Sequence, residues 1–199
     1  MLIATFSCIL SDLTQSEKNV KISYEVIIMY SNWYVIQVQP KSEYRLCTKI
    51  KDRISKDLYR DCFVPQAEYL YKKDGVFEKR IRPLFPGYIF VSTDNVKNFY
   101  DSLKKIDGFK RILKSGEDFT PISSEEAGFI SGITDDDYNI SLSAGFIIDS
   151  KITITSGPLV GNEGIIKKID RHKRIGLIEI NFMGQPQLVK MPLEIISKS

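Results

Sequence analysis

Histidine is almost missing from this chain: His172 is the only one in 199 residues. A metal site built on two histidines is therefore excluded, and a Cys–His catalytic pair would need partners from distant segments. Cysteine is scarce too. Cys8, Cys47 and Cys62 are odd in number and form no Cys-x-x-Cys pair, so neither a disulfide framework nor a zinc ligand set follows. That usage fits a reducing, cytoplasmic setting. No apolar run approaches the ~20 residues needed to span a bilayer, so no membrane association is expected. Residues 2–10 (LIATFSCIL) resemble a short secretory apolar core, but no basic residue precedes them and no cleavage site follows. Lys and Arg are absent between 119 and 144. The three aspartates there, Asp135 to Asp137, lack the alternating ligands, the Gly and the distant Glu of a calcium loop. Gly157–Gly164 (GPLVGNEG) lacks the Gly-Lys-Ser/Thr ending of a phosphate loop. With no catalytic constellation in sight, no enzyme activity, cofactor or metal is expected.

What remains is an ordinary globular composition, 43% hydrophobic and 27% charged, with an uneven charge distribution. Net charge is +6 over 33–118, −5 over 119–144 and +3 over 145–199. Two basic modules with an acidic joint follow from this, and a basic face on each could meet phosphate.

Residues 1–32 show no sustained periodicity and read as a poorly patterned extension. Trp33–Val38 (WYVIQV) is a strand by its aromatic and β-branched content. Leu46, Ile50, Ile54 and Leu58 recur every four residues, the stripe of a buried helix face, and Lys41, Arg45, Lys49 and Arg53 form a basic ridge beside it. Cys62–Tyr71 and Val76–Arg82 read as strands joined at Asp74-Gly75. Tyr88–Val91 is a further strand after the turn Pro86-Gly87. Asn95 can cap a helix over Val96–Ile106, Phe109–Leu113 is a last strand, and Ser123 to Glu126 begin a third helix. The expected order is β-α-β-β-β-α-β, an α+β sheet with its helices on one side. Thr134–Ser143 reads as a polar linker, and Gly145 onward as five short strands closing a small barrel. The expected divisions are an extension at 1–32, a first domain at 33–133, an acidic flexible linker at 134–144 and the barrel at 145–199.

Four segments carry a resemblance: WYVIQV at Trp33, CFVP at Cys62, PLFPGYIFV at Pro83, and GPLVGNEGIIKKIDRHKR with GLIEI after it. Together they resemble the NusG family, whose members have a βαβββαβ N-terminal (NGN) domain, a flexible linker and a C-terminal SH3-like KOW barrel. The resemblance covers about 33–197. It implies a transcription elongation factor that binds RNA polymerase through an apolar patch and suppresses pausing or termination. Carried onto this chain, that patch is Phe85, Tyr88 and Phe90. The ridge Lys41, Arg45, Lys49 and Arg53 matches the region near non-template DNA.

The barrel hairpin carries Lys167, Lys168, Arg171, His172, Lys173 and Arg174, enough cation to meet several phosphates, with His172 able to stack on a base. Here the chain is similar to the antiterminating branch called LoaP, in which this module is thought to read an RNA hairpin. The family's usual aromatic directly before the late Gly is Met183 in this chain, with Phe182 one step earlier, which argues against coupling to a ribosomal protein. The alternative is a general elongation factor whose barrel binds ribosomal or termination proteins. A monomer is expected in either case. Met29 is an alternative start, four residues before Trp33, leaving 1–28 without stable packing.

Overall fold

A computed structural model describes residues 32–115 and 117–198. The extension, Cys8 and the Met29 start lie outside the described residues. Strand β1 (Trp33–Val38) runs antiparallel between β5 (Tyr88–Ser92) and β6 (Phe109–Ile112), and β2 (Asp61–Phe63) adds beyond β5. Alternation then divides the side chains. Tyr34, Ile36, Val38, Ile89 and Val91 face one way and pack against Leu46, Ile50, Phe99 and Leu103 of helices α1 (Glu43–Arg53) and α2 (Val96–Leu103). Trp33, Val35, Phe63 and Phe90 face the other way. Helix α1 follows its expected stripe as far as Ile54, where the backbone turns extended; Leu58 falls in a separate 3-10 turn over Lys56–Leu58 and is half-buried. Asn95 caps α2 by accepting the Asn98 N–H at 3.2 Å.

Three features differ from the expected arrangement. Cys62–Tyr71 is not one strand: the chain leaves the sheet at Val64-Pro65, and β3 (Gln66–Lys73) pairs instead with β4 (Val76–Pro83) in a separate hairpin. Pro65, with a fixed φ and no N–H, suits such a break. Asp74 and Gly75 turn this hairpin with φ of 51° and 84°, as a two-residue turn with both residues at positive φ requires. Beyond β6 lies a small hairpin, β7 (Lys114–Ser115) and β8 (Asp118–Phe119). Helix α3 (Ser124–Ile133) then lies on the opposite side of the sheet from α1 and α2, adding Ala127, Ile130 and Ile133 to the Trp33–Phe90 face. Helices therefore cover both faces, not one.

The third difference is the segment expected as a flexible linker. Within 134–144, β9 (Asn139–Ile140) pairs parallel with β3, and Ile140 is fully buried. Tyr138 stacks on Phe63 with ring centroids 3.6 Å apart, and its hydroxyl donates to Asp61 at 2.7 Å. The polar composition of this stretch concealed two anchors, Tyr138 and Ile140, that tie it to the first sheet.

The remaining strands, β10 (Ser143–Ile148), β11 (Lys151–Ser156), β12 (Ile166–Asp170), β13 (Ile175–Phe182) and β14 (Gln185–Lys198), form the small barrel in the order β11-β10-β14-β13-β12. Strand β14 pairs antiparallel with β13 up to Pro192 and parallel with β10 from Leu193. Gly145 is needed where β10 meets β11, because a Cβ there would lie 2.3 Å from the Thr153 carbonyl oxygen. The barrel core of Leu159, Ile178, Met191 and Leu193 is continuous with the face of the first sheet that carries Phe90.

Candidate functional site

Residues Phe85, Tyr88 and Phe90 do come together. The turn before β5 projects Phe85, while Tyr88 and Phe90, two apart on β5, share the face away from α1 and α2. Phe90 is fully buried, Phe85 nearly so, and Tyr88 is half-buried. What covers them is the barrel. Phe182, at the end of β13, stacks on Phe85 at 4.5 Å between centroids and meets Tyr88 edge-on at 5.4 Å. It also contacts Phe90 at 5.9 Å. Such aromatic pairs each contribute about 0.5–1.5 kcal/mol beyond burial.

Polar groups frame this aromatic contact. Ser123 and Glu126 cap α3 reciprocally: the Ser123 hydroxyl accepts the Glu126 N–H at 3.1 Å and a Glu126 carboxylate oxygen accepts the Ser123 N–H at 3.0 Å. The second carboxylate oxygen of Glu126 accepts the Gly184 N–H at 2.9 Å, so one buried side chain both starts a helix and holds the barrel. Gly184 and Met183 form the tight turn after Phe182, with φ of 70° and 55°. On another side, the Tyr69 hydroxyl donates to the Lys190 carbonyl at 2.6 Å. Burial pushes the Tyr69 phenol up to about 12. The Arg174 guanidinium lies 3.9 Å from the Phe77 ring centroid of the β3–β4 hairpin while pairing with Glu194 at 3.1 Å.

The two basic sets differ in how much of their charge is free. Of the expected ridge, Arg45, Lys49 and Arg53 lie on α1, whereas Lys41 sits before the helix in a turn at φ 76°. Lys41, Arg45 and Arg53 are exposed, Lys49 is half-buried, and none of the four pairs with an acid among the described residues. In the barrel hairpin, three cations are already matched: Lys167 with Glu179 at 2.8 Å, Lys173 with Asp170 at 3.2 Å, and Arg174 with Glu194. The Lys173 N–H and ammonium together hold the Asp170 carboxyl below its usual range. Lys168, Arg171 and His172 have no acid partner among the described residues. Lys168 and Arg171 rim an open groove of about 340 Å³ whose apolar floor includes Ile147, Ile152, Ile166 and Ile169. Arg174, expected with the nucleic-acid ligands, is instead engaged between the barrel and the β3–β4 hairpin.

Phe182, Glu126 and Tyr69 were missed as site residues by sequence reasoning. Phe182 was visible as the end of the alternating row Ile178, Ile180, Phe182, and Glu126 as the last position of a capping box. Neither pattern reveals what the residue touches in the other half of the chain.

A family model described as transcription termination factor NusG matches residues 31–130. The chain belongs to the NusG family. It is similar to the transcription termination/antitermination protein NusG of Halalkalibacterium halodurans, 25% identical over 177 residues that cover 85% of this chain and 99% of that one. The protein of the same name from Escherichia coli K12 is 24% identical over 178 residues, covering 84% and 96%. A solved structure described as a domain interaction in Thermotoga maritima NusG aligns at 19% identity over 80% of this chain and 92% of that one, with a TM-score of 0.46. The segment Leu84–Tyr88 supplies Phe85 and Tyr88 to the aromatic contact.

Proposed function

We propose that this chain is a transcription elongation factor that binds RNA polymerase through Phe85, Tyr88 and Phe90 and promotes antitermination or pause suppression, as in the LoaP-type branch of its family. The observation that carries this reading is the aromatic contact with Phe182. An apolar patch on the first domain is met by the barrel, whose Phe182 supplies the aromatic area that another protein would otherwise provide. Polymerase and barrel then compete for one surface, and binding requires the barrel to lift away. The Glu126–Gly184 and Tyr69–Lys190 hydrogen bonds set how readily it does so.

Nucleic acid enters at two places in this reading. Arg45, Lys49 and Arg53 on α1, with Lys41 in the turn before it, meet non-template DNA; none of the four has an acid partner among the described residues. A structured leader RNA meets the barrel at Lys168, Arg171 and His172, the groove between Ile152 and Ile169 accepting a base edge. Lys167 and Lys173 contribute only by exchanging their carboxylate partners for phosphate.

A second reading is favoured by a specific observation. Three of the five hairpin Lys and Arg residues are already paired, and the barrel exposes Val160, Leu188 and Ile196. Such a surface suits a general NusG-type factor whose barrel binds a ribosomal or termination protein. Run-off transcription past a terminator with purified polymerase, with and without the leader RNA, separates them. RNA-dependent read-through supports the first reading, and RNA-independent activity supports the second.

A further inference from the structure

Cys47 and Cys62 belong to neither interface. Cys47 lies on the inner face of α1, Cys62 at the centre of β2, and their sulfurs are 3.7 Å apart. The Cys47 thiol also reaches the Cys62 carbonyl oxygen at 3.2 Å. Buried cysteines in a core are ordinarily inert, but this pair departs from that pattern in three ways. The thiols face each other. Cys47 keeps 8% of its surface open on an outer helix, whereas Cys62 has none. Lys51, one helical turn beyond Cys47, pairs with Asp61 beside Cys62 and so puts a cation next to the sulfurs. Hydrogen bonding from Cys62 and the Lys51 charge favour the Cys47 thiolate, while hydrogen bonding with Cys47 and burial push the Cys62 thiol up. The cysteine with the more open surface is thus also the more easily ionised one.

We infer that Cys47 and Cys62 form a reversible redox modification site, a dithiol that a small hydroperoxide converts to a disulfide stapling α1 to β2. In the first step the Cys47 thiolate attacks the peroxide, the O–O bond breaks, the departing alkoxide or hydroxide takes up the proton released when the thiol ionised and leaves as alcohol or water, and Cys47 becomes a sulfenic acid. In the second, the Cys62 sulfur attacks the Cys47 sulfur, the S–O bond breaks, and water leaves with the Cys62 proton. The two thiols together supply the two electrons that reduce the peroxide, and an external thiol reverses the change. The sulfurs must close by about 1.7 Å to reach bonding distance. Lys49 and Arg53 lie inside the loop so closed, which ties the oxidation state to the part of the molecule that presents the basic ridge.

The test uses the full chain carrying Cys8→Ser, with the pair itself untouched. The reduced protein is exposed to one equivalent of hydrogen peroxide under native conditions, then analysed by intact mass and by non-reducing peptide mapping. The expected result is a loss of about 2 Da, a cross-linked peptide joining Cys47 to Cys62, and recovery on adding dithiothreitol. Adding Cys47→Ser, with the fold checked by circular dichroism, should abolish the mass loss. Gain of one or more oxygens without a cross-link would overturn the proposal. So would an unreactive native protein under conditions in which the urea-unfolded chain is oxidised.

Discussion

Phe182 of the barrel and Phe85 of the first domain lie face to face, their rings 4.5 Å apart at centroid and 19° from parallel. The two residues are distant in the chain, so this stack reports directly on whether the halves are docked. Phe182→Ala removes the central ring of the aromatic contact and should release the barrel without unfolding it, because Phe182 sits at the strand end, beyond the Ile178 and Met191 core. The docking free energy should fall by about 3 kcal/mol, the lower end for removing a buried Phe ring. Small-angle scattering should show a larger radius of gyration, and protease should cut faster within 134–144. An unchanged radius would place the holding force elsewhere.

Glu126 joins helix capping to docking, so its loss should be felt twice. Glu126→Ala should cost about 2–3 kcal/mol in urea unfolding, because the Ser123 and Gly184 N–H groups both lose their carboxylate acceptor. Glu126→Gln keeps an acceptor for either N–H and should cost roughly half as much. Equal losses for the two variants would show that the charge, not the acceptor geometry, matters.

Tyr69 supplies a pH dependence. Its phenol is raised from 10 to about 12 because burial disfavours the charged form. The neutral form is what the fold stabilises, and the unfolded chain gives up this proton first as pH rises. The contribution is therefore fully present below pH 10 and is lost as pH rises through 12. Ultraviolet titration should find Tyr44 and Tyr69 both ionising near 12, and the Tyr69 component should be missing in Tyr69→Phe. That variant should also lose about 1 kcal/mol and abolish part of the alkaline destabilisation.

The hairpin cations are not equivalent. Lys168→Glu with Arg171→Glu should remove RNA binding, each lost phosphate contact lowering the slope of log K against log salt by roughly 0.7–0.9. Arg174→Glu should act differently. It breaks the Glu194 pair and the Phe77 contact, so it should loosen barrel docking more than it changes the salt slope. Fluorescence anisotropy with a leader hairpin and its scrambled form, over a salt series, checks both.

Local periodicity carried much of this architecture. The stripe Leu46, Ile50, Ile54 located α1, the parity of Tyr88 and Phe90 put both on one sheet face, and the Ser123–Glu126 pattern marked the start of α3. Each depends on neighbours a few residues apart. The break at Pro65 was hidden because β3 and β2 share the same strand-forming composition, and only pairing with β4 separates them. Tyr138 and Ile140 escaped notice because two anchors in an acidic stretch do not make a period. The cover over Phe85 was illegible for a deeper reason: alternation tells which side chains share a face, not which distant surface meets that face.

The most direct test of the account is the affinity of core RNA polymerase for the full chain and for its Phe182→Ala variant, measured at one salt concentration. If barrel and polymerase share the patch of Phe85, Tyr88 and Phe90, the variant should bind more tightly, and adding Tyr88→Glu to it should abolish binding while the circular dichroism spectrum stays unchanged. Equal affinity of wild type and Phe182→Ala, with Tyr88→Glu leaving binding intact, would contradict the claim that this aromatic patch is where the polymerase binds.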